Sequence, residues 1–283
     1  MKTGVIIQAR TSSTRLPHKV LMELPYGSGI TVLQQVIRRL KKSKKLDDII
    51  IATTTDLADE KIIKISEKEN VKSFKGSIDD VLERYYLAAK ESELDIVVRV
   101  TSDCPCIDPE VVDLTIEEHV NAKADFTSNI LSRTFPHGLD TEVLSFRTLE
   151  TAHLQANQEF EREHVCPYIY RSHPASFKIV NVEAPANLKA DDIRITLDTK
   201  EDYALLCLIY DHLFYKNKFF TTEDIIHLFR RKPWIKCINE KIIQKKIFDT
   251  LEEEMTEAIK VLETHGLERV KKLLDTIKLE ASK

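Results

Sequence analysis

The sequence predicts an α/β fold built on a mixed, mostly parallel sheet. Three observations carry this reading. Short β-branched runs alternate with segments of helical periodicity through the first half of the chain, the order that gives parallel strands joined by helical crossovers. Apolar residues are 42% and charged residues 31% of 283, enough for a sizeable core in one large domain with an appendage or in two domains. Past about Ile238 the chain turns Lys-, Glu- and Ile-rich, marking a separate helical appendage.

In order, GVIIQA reads as a buried strand, and TVLQQVIRRLKK places Val32, Leu33, Val36, Ile37 and Leu40 on one helical face. DIIIATT is the next strand, followed by a helix near Leu57–Asn70, a short strand at VKSF, a helix over DDVLERYYLAAKES and the strand DIVVRVTSD. A helix after Pro109 leads to ADFTSNI and then to an irregular stretch around RTFPHGLDTEVLSF. Two helical patterns follow, near Phe146–Gln158 and Glu161–Arg171, then strands at FKIVNV and DIRITLD and a helix from about Thr199 to Tyr215. In the appendage Leu251, Met255, Ile259 and Leu262 keep helical spacing, Gly266 breaks it, and Val270, Leu273 and Ile277 resume it.

Several classes are disfavoured. A net charge of -4 gives no general footprint for nucleic acid. No apolar run approaches the roughly 20 residues of a membrane span, and MKTGVIIQAR lacks the apolar region of a signal peptide. Five cysteines without regular spacing point to a reducing, cytoplasmic setting, and Cys104-Pro105-Cys106 has no second Cys/His pair to make a zinc site.

Charge is unevenly placed: residues 1–45 carry ten Lys or Arg against one acid, Glu23. Six lie in RRLKKSKK, a solvated helix end, which leaves Lys2, Arg10, Arg15 and Lys19 to be explained. The last three lie in QARTSSTRLPHKVL, Gln8 to Leu21, the first strand-to-helix loop, where α/β sheets commonly bind phosphate. Its small hydroxyl residues let backbone N–H groups approach an anion, while the cations neutralise it; a triphosphate fits, and a flexible surface loop is the plain alternative. Neither the Gly-rich loop ending in GK[ST] nor GxGxxG is present.

Asp103 follows the apolar run of DIVVRVTSDCP and should project from that strand's carboxyl end, as a Mg²⁺ ligand or as an ordinary turn cap. Asp198 in IRITLDTKEDY has the same position, and it or Thr199 could equally be a helix N-cap. Two strand-end aspartates facing a cationic loop are the layout that metal-assisted nucleotidyl transfer requires.

Together these segments resemble the cytidylyltransferases that activate acidic sugars, the 3-deoxy-manno-octulosonate and acylneuraminate enzymes and above all the spore-coat-polysaccharide branch. QARTSSTRLPHKVL is similar to the family's A-R-x-x-S-T-R-L-P-x-K-x-L loop, and ATTTD, KGSIDDVLERYY, RVTSDCPCIDPE, FPHGLDTEVLSF, EREHVCPYI and RITLDTKEDY follow in order across residues 4 to about 215. One departure is His18, where the family usually has glycine. The segment after Ile238 matches nothing in the family.

The resemblance implies a glycosyltransferase-A-like, Rossmann-type sheet flanked by helices, with a catalytic domain over 1–235, an acceptor and dimerisation region near 130–180, and a C-terminal extension over 236–283. It implies passage of CMP from CTP to a small acidic acceptor, with pyrophosphate released, Mg²⁺ as cofactor and a homodimer as the assembly. Arg10, Arg15 and Lys19 would hold the triphosphate and Asp103 and Asp198 the Mg²⁺, making Arg10, Lys19, Asp103 and Asp198 the catalytic set. Gln8, Ala9, Thr11, Ser12, Ser13, Thr54, Gly76, Ser77 and Asp79 would complete the nucleotide site, with Arg84 a weaker candidate and Arg99 packed beside the active-site strand. His137, Asp140, Glu142, Arg162, Glu163 and His164 would line the acceptor side, although EREH suits surface pairs on a helix and His164 suits a buried core histidine equally well. Two rivals stay open: a glycosyltransferase of the same fold that consumes a sugar nucleotide, and a non-catalytic nucleotide-binding module.

Overall fold

The structure, a computed structural model, describes residues 1–242 and 250–281. The chain divides into two compact units, Met1–Lys241 and Ile242–Lys283. Residues 243–249 and 282–283 of the expected C-terminal extension lie outside the described residues.

Unit 1 is built on seven strands: β1 (Thr3–Gln8), β2 (Asp48–Thr54), β3 (Lys72–Gly76), β4 (Ile96–Thr101), β5 (Phe126–Ser128), β6 (Glu142–Ser145) and β7 (Ile179–Asn181). Their spatial order is β3-β2-β1-β4-β6-β5-β7. Strands β1 to β4 pair in parallel, β6 runs antiparallel to both β4 and β5, and β7 returns parallel to β5. The sheet is therefore mixed and mostly parallel, as the sequence predicts.

The strands alternate their side chains between two cores. Val5, Ile7, Ile51, Val98 and Val100 face α1 (Val32–Leu40), α2 (Glu60–Lys68) and α4 (Pro109–Ala122). On the opposite face Ile6, Ile50 and Val97 pack under α3 (Val81–Glu91) and α5 (Phe146–Gln155). All five apolar residues predicted for the first helix are buried, and Thr31 and Gln34 close a reciprocal cap at its start. A third core joins α7 (Lys200–Leu213) and α8 (Thr222–Arg231) to Phe135, Leu139, Ile193, Ile195 and Leu197.

Three expectations for this unit change. The irregular stretch around RTFPHGLDTEVLSF contains β6, whose four residues are too few for an alternating pattern to stand out from the preceding turn. The helix expected over Glu161–Arg171 is broken: α6 (Glu159–His164) ends where Val165 takes φ 73° and ψ -58°, with Cys166 N–H bonded to the His164 carbonyl at 2.9 Å, and a π-type turn over Tyr168–Ser172 follows. That geometry is a γ-turn, rare for a β-branched residue. The segment DIRITLD is extended but joins no ladder; it meets the sheet region through one bridge, His137 to Arg194.

Unit 2 contains α9 (Leu251–Thr264) and α10 (Glu268–Ala281), with the turn between them passing through Gly266 as the spacing predicts. Thr250 caps α9 by accepting from the Glu253 N–H at 3.2 Å.

Candidate active site

Strand order reverses at β1: the chain moves outward to β2 and β3, then returns to place β4 on the other side. Such a reversal opens a crevice beyond the carboxyl ends of the two central strands. Gln8 and Thr101 lie opposite each other at those ends, so the cationic loop after β1 and Asp103 after β4 leave the sheet side by side.

The loop is pinned from below. Asp59, buried at the start of α2, accepts from the Thr11 N–H and hydroxyl, both at 2.7 Å, and from the Thr54 hydroxyl at 2.5 Å. Thr11 and Thr54 thus spend their hydroxyl hydrogens on the loop's anchor, a role the sequence did not reveal. The His18 N–H closes on the Thr11 carbonyl at 2.9 Å, and His18 adopts φ 59°, ψ 18°. Glycine enters that left-handed region freely, which accounts for its usual presence in the family and makes His18 a local strain on the order of 1 kcal/mol.

Asp198 reaches the same crevice because residues 193–198 are stitched on both flanks. The Leu197 N–H donates to the Asp103 carbonyl at 2.9 Å, while across the His137–Arg194 bridge the His137 N–H donates to the Ile193 carbonyl at 2.8 Å and the Ile195 N–H to the His137 carbonyl at 2.7 Å. Gly138 permits this approach: at φ 119°, a Cβ there would sit 2.8 Å from the Ile195 and Thr196 backbone. No side chain fits.

Both acids converge on one ammonium. Lys19 Nζ lies 2.6 Å from Asp103 Oδ2 and 2.9 Å from Asp198 Oδ1, and it donates to the Leu197 carbonyl at 2.8 Å. Arg15 also meets Asp198 Oδ1 at 3.0 Å. Arg194 Nη2 donates to Asp198 Oδ2 at 2.9 Å, and its Nε and Nη2 grip Asp202 at 2.9 and 3.0 Å, while the Thr101 hydroxyl donates to Asp103 Oδ1 at 2.6 Å. Burial works to raise the Asp198 pKa, but Lys19, Arg15 and Arg194 overcome it and hold the carboxyl at about 2. Burial works against the charge on Lys19, and the two aspartates reverse this and raise its pKa.

These two carboxylates suit a hard divalent cation. Their oxygens already share one cation, and oxygen ligands completed by water and phosphate are what Mg²⁺ prefers. Among the described residues no group of three or more His, Cys, Asp or Glu side chains could enclose a metal unaided.

Two further arginines lack an ion pair. Arg10 is exposed and has no ion-pair partner among the described residues. Arg84 is buried, donates to the Ser77 carbonyl at 3.0 Å, leaves its Nε unbonded and forms no ion pair among the described residues, although Asp59 and Asp80 act on its charge. Burial and then the nearby Arg10 charge lower the Arg84 pKa. Gly76 lies against Arg84, whose Cγ a Cβ would meet at 3.0 Å. Ser77 accepts from the Asp80 N–H at 3.1 Å, whereas Asp79 is exposed. In the loop Ala9 is buried, Ser12 is exposed and Ser13 donates its N–H to the Thr11 carbonyl at 3.0 Å.

Most of the residues expected on the acceptor side are committed to partners elsewhere in the fold. Arg133 clasps Asp140 at 2.6 and 3.0 Å and holds its carboxyl below the usual range against the effect of burial. His137 Nδ1 faces Arg194 Nη1 at 3.1 Å, and burial lowers its pKa. Glu142, buried on β6, pairs with Arg99 of β4, which also donates to Gln8 Oε1 at 3.1 Å. Arg162 bonds to Asp80, the N-cap of α3, at 2.6 Å and to the His153 and Ala156 carbonyls at 3.0 Å. Glu163 is exposed and His164 half-buried. Glu142 and Arg99 adjoin the crevice through Gln8, whereas Arg162 ties α6 to α3. Asp59, Thr101 and Arg194 do not stand out in the sequence. Asp202 does, as the acid three residues past a Thr199 N-cap, and the structure forms that capping box.

Comparisons with known proteins identify the family. A protein of Methanocaldococcus jannaschii described as uncharacterized is 40% identical over 245 residues, 87% of this chain and 97% of that one. The spore coat polysaccharide biosynthesis protein SpsF of Bacillus subtilis is 34% identical over 81% of this chain and 94% of its own. The solved structure of a cytidylyltransferase from Leptospira borgpetersenii serovar Hardjo-bovis superposes with a TM-score of 0.78 at 34% identity, covering 87% of this chain and 100% of that one. Residues 4–228 match the family described as cytidylyltransferase, and the chain belongs to that family of CTP-dependent nucleotidyltransferases.

Proposed function

We propose that this chain transfers CMP from CTP to an acidic sugar or a related small acid, releasing pyrophosphate in a Mg²⁺-dependent reaction that serves surface-polysaccharide synthesis. The observation that carries the reading is the convergence of Asp103 and Asp198 on Lys19 beside Arg10 and Arg15. Likeness to SpsF supports the polysaccharide setting, and the resemblance to enzymes that activate acidic sugars supports the acceptor class. The reading includes a homodimer in the cytoplasm, resting on the family resemblance and on the pattern of cysteines.

An acceptor oxygen must approach an α-phosphorus already ringed by negative oxygens. The chemistry therefore needs alignment and charge neutralisation rather than a covalent nucleophile. Arg10, Arg15 and Lys19 bind the triphosphate and take up charge as pyrophosphate departs. Asp103 and Asp198 hold Mg²⁺, which when bound orients the α-phosphate and assists loss of the acceptor proton. Arg84, buried without a carboxylate, adds to the field that draws the nucleotide in.

The test is to incubate the protein with each nucleoside triphosphate, Mg²⁺ and a panel of acidic acceptors while reading pyrophosphate. Release that requires both CTP and one acceptor is expected. Sugar transfer from a nucleotide sugar without pyrophosphate marks the glycosyltransferase instead, and CTP binding without turnover across the panel marks a binding module. Asp103→Asn should lower turnover by about 10³-fold, in line with the loss of a charge-stabilising group at a reacting centre; activity like that of the wild type removes Asp103 from the mechanism.

A further inference from the structure

Every hydrogen of the Lys19 ammonium has an acceptor: Asp103 Oδ2 at 2.6 Å, Asp198 Oδ1 at 2.9 Å and the Leu197 carbonyl at 2.8 Å. An ammonium has three donors, so none is left for a phosphate. The carboxylates are equally engaged, since Asp103 Oδ1 accepts from Thr101 and Asp198 Oδ2 from Arg194. Charges balance as well: Asp103, Asp198 and Asp202 stand against Lys19, Arg15 and Arg194, three against three. A divalent ion entering this cluster alone would add two uncompensated charges, and it would meet Lys19 between the carboxylates it must bind. The two cations also ask for different spacing, because Mg²⁺ takes its oxygens at about 2.0–2.1 Å.

We infer that Lys19 is the resident counter-ion of the Asp103–Asp198 pair and exchanges places with the metal, so that the divalent ion is admitted only together with the triphosphate. The inference rests on the reading of these two acids as the metal-holding pair. A polyphosphate brings the charge that the neutral cluster lacks. It draws Lys19 and Arg15 toward its oxygens and frees the carboxylates for the metal that arrives with it. Lys19 then serves in two places, on the acids before nucleotide binds and on the phosphates afterwards. Linkage makes the effect reciprocal: whatever the triphosphate adds to metal affinity, the metal adds to triphosphate affinity.

Binding of Mn²⁺ without any nucleotide, read from the electron paramagnetic resonance signal of the free ion, tests the exclusion directly. Wild-type protein should bind Mn²⁺ weakly, whereas Lys19→Met and Lys19→Gln should each bind it roughly tenfold tighter or more, since a like charge at the ion's own position is gone. Adding Asp103→Asn to either should abolish the gain. Tight Mn²⁺ binding by the wild type, or no gain in folded variants, overturns the inference. A second measurement uses the wild-type protein and needs no substitution. With ¹⁵N-labelled lysine, the Lys19 ammonium resonance should be unmoved by Mg²⁺ alone but should shift with Mg²⁺ plus inorganic triphosphate and with Mg²⁺ plus CTP. A shift with Mg²⁺ alone, or with neither mixture, rules the exchange out. A shift with inorganic triphosphate but not with CTP keeps the exchange and counts against the nucleotide reading.

Discussion

The residues proposed for the nucleotide and those proposed for the acceptor carry similar charges in opposite states. In the first group Arg10 and Arg84 form no ion pair among the described residues, and Lys19 and Arg15 are paired with the two acids proposed to hold the metal. In the second, Asp140 is bound to Arg133, Glu142 to Arg99 and Arg162 to Asp80. Charge in this fold therefore has two meanings: a paired cation holds shape, whereas an unpaired one marks where a ligand's charge belongs.

The division is most exposed at Glu142. Its removal leaves the buried Arg99 without a counter-ion, with Gln8 as its remaining hydrogen-bond partner among the described residues, and Glu142→Ala should cost about 3 kcal/mol of stability in urea unfolding, as breaking buried pairs does. A loss under about 1 kcal/mol would mean that this group is not held by its pairs. Arg10→Ala should do the reverse, raising the CTP dissociation constant by about tenfold through loss of a charge-assisted contact while leaving the melting temperature unchanged. Arg84→Met joins both effects in one protein, because removing a buried cation without a counter-ion should stabilise the fold by roughly 1 kcal/mol and weaken CTP binding. Calorimetric titration beside thermal unfolding separates these outcomes, and a destabilised Arg84→Met would show that its field is structurally balanced.

A milder change is expected around β5 on acidification. Burial holds His119 of α4 at about 4, with Asp125 opposing, and its Nδ1 lies 3.1 Å from the Thr127 hydroxyl on β5. The unfolded chain therefore binds the proton first. Stability from neutral His119 is complete above pH 6.5 and falls as pH drops from there toward 4. Hydrogen exchange at β5 and β7 should quicken over that window before exchange at β1 and β2, and equal acceleration everywhere would remove the assignment to His119.

Much of this was legible in the sequence because it was local. The β-branched runs of β1, β2 and β4 and the capped, one-faced helix α1 follow from periods that a window of residues carries in full. Asp103 was legible as an acid just past the end of β4, and Asp198 as the acid closing an extended run that the structure leaves outside the ladders. What stayed hidden depends on distant partners. Asp59 looks like any acid in a helix's first turn until Thr11 folds over it, and Arg194 looks like one more strand residue until Asp198 and Asp202 share its guanidinium. Strand β6 is likewise defined by its pairing with β4 and β5, whereas the helical pattern of residues 161–171 hides the γ-turn at Val165.

The single bridge between His137 and Arg194 has a consequence for anyone who would retune this protein. One clasp joins two proposed roles, for the loop that presents His137 also fixes the strand-like segment whose last residue is Asp198. If those roles hold, grafting residues 133–140 from a relative of different specificity would move Asp198 along with the acceptor-side residues, and the two properties would drift together rather than be exchanged as separate parts.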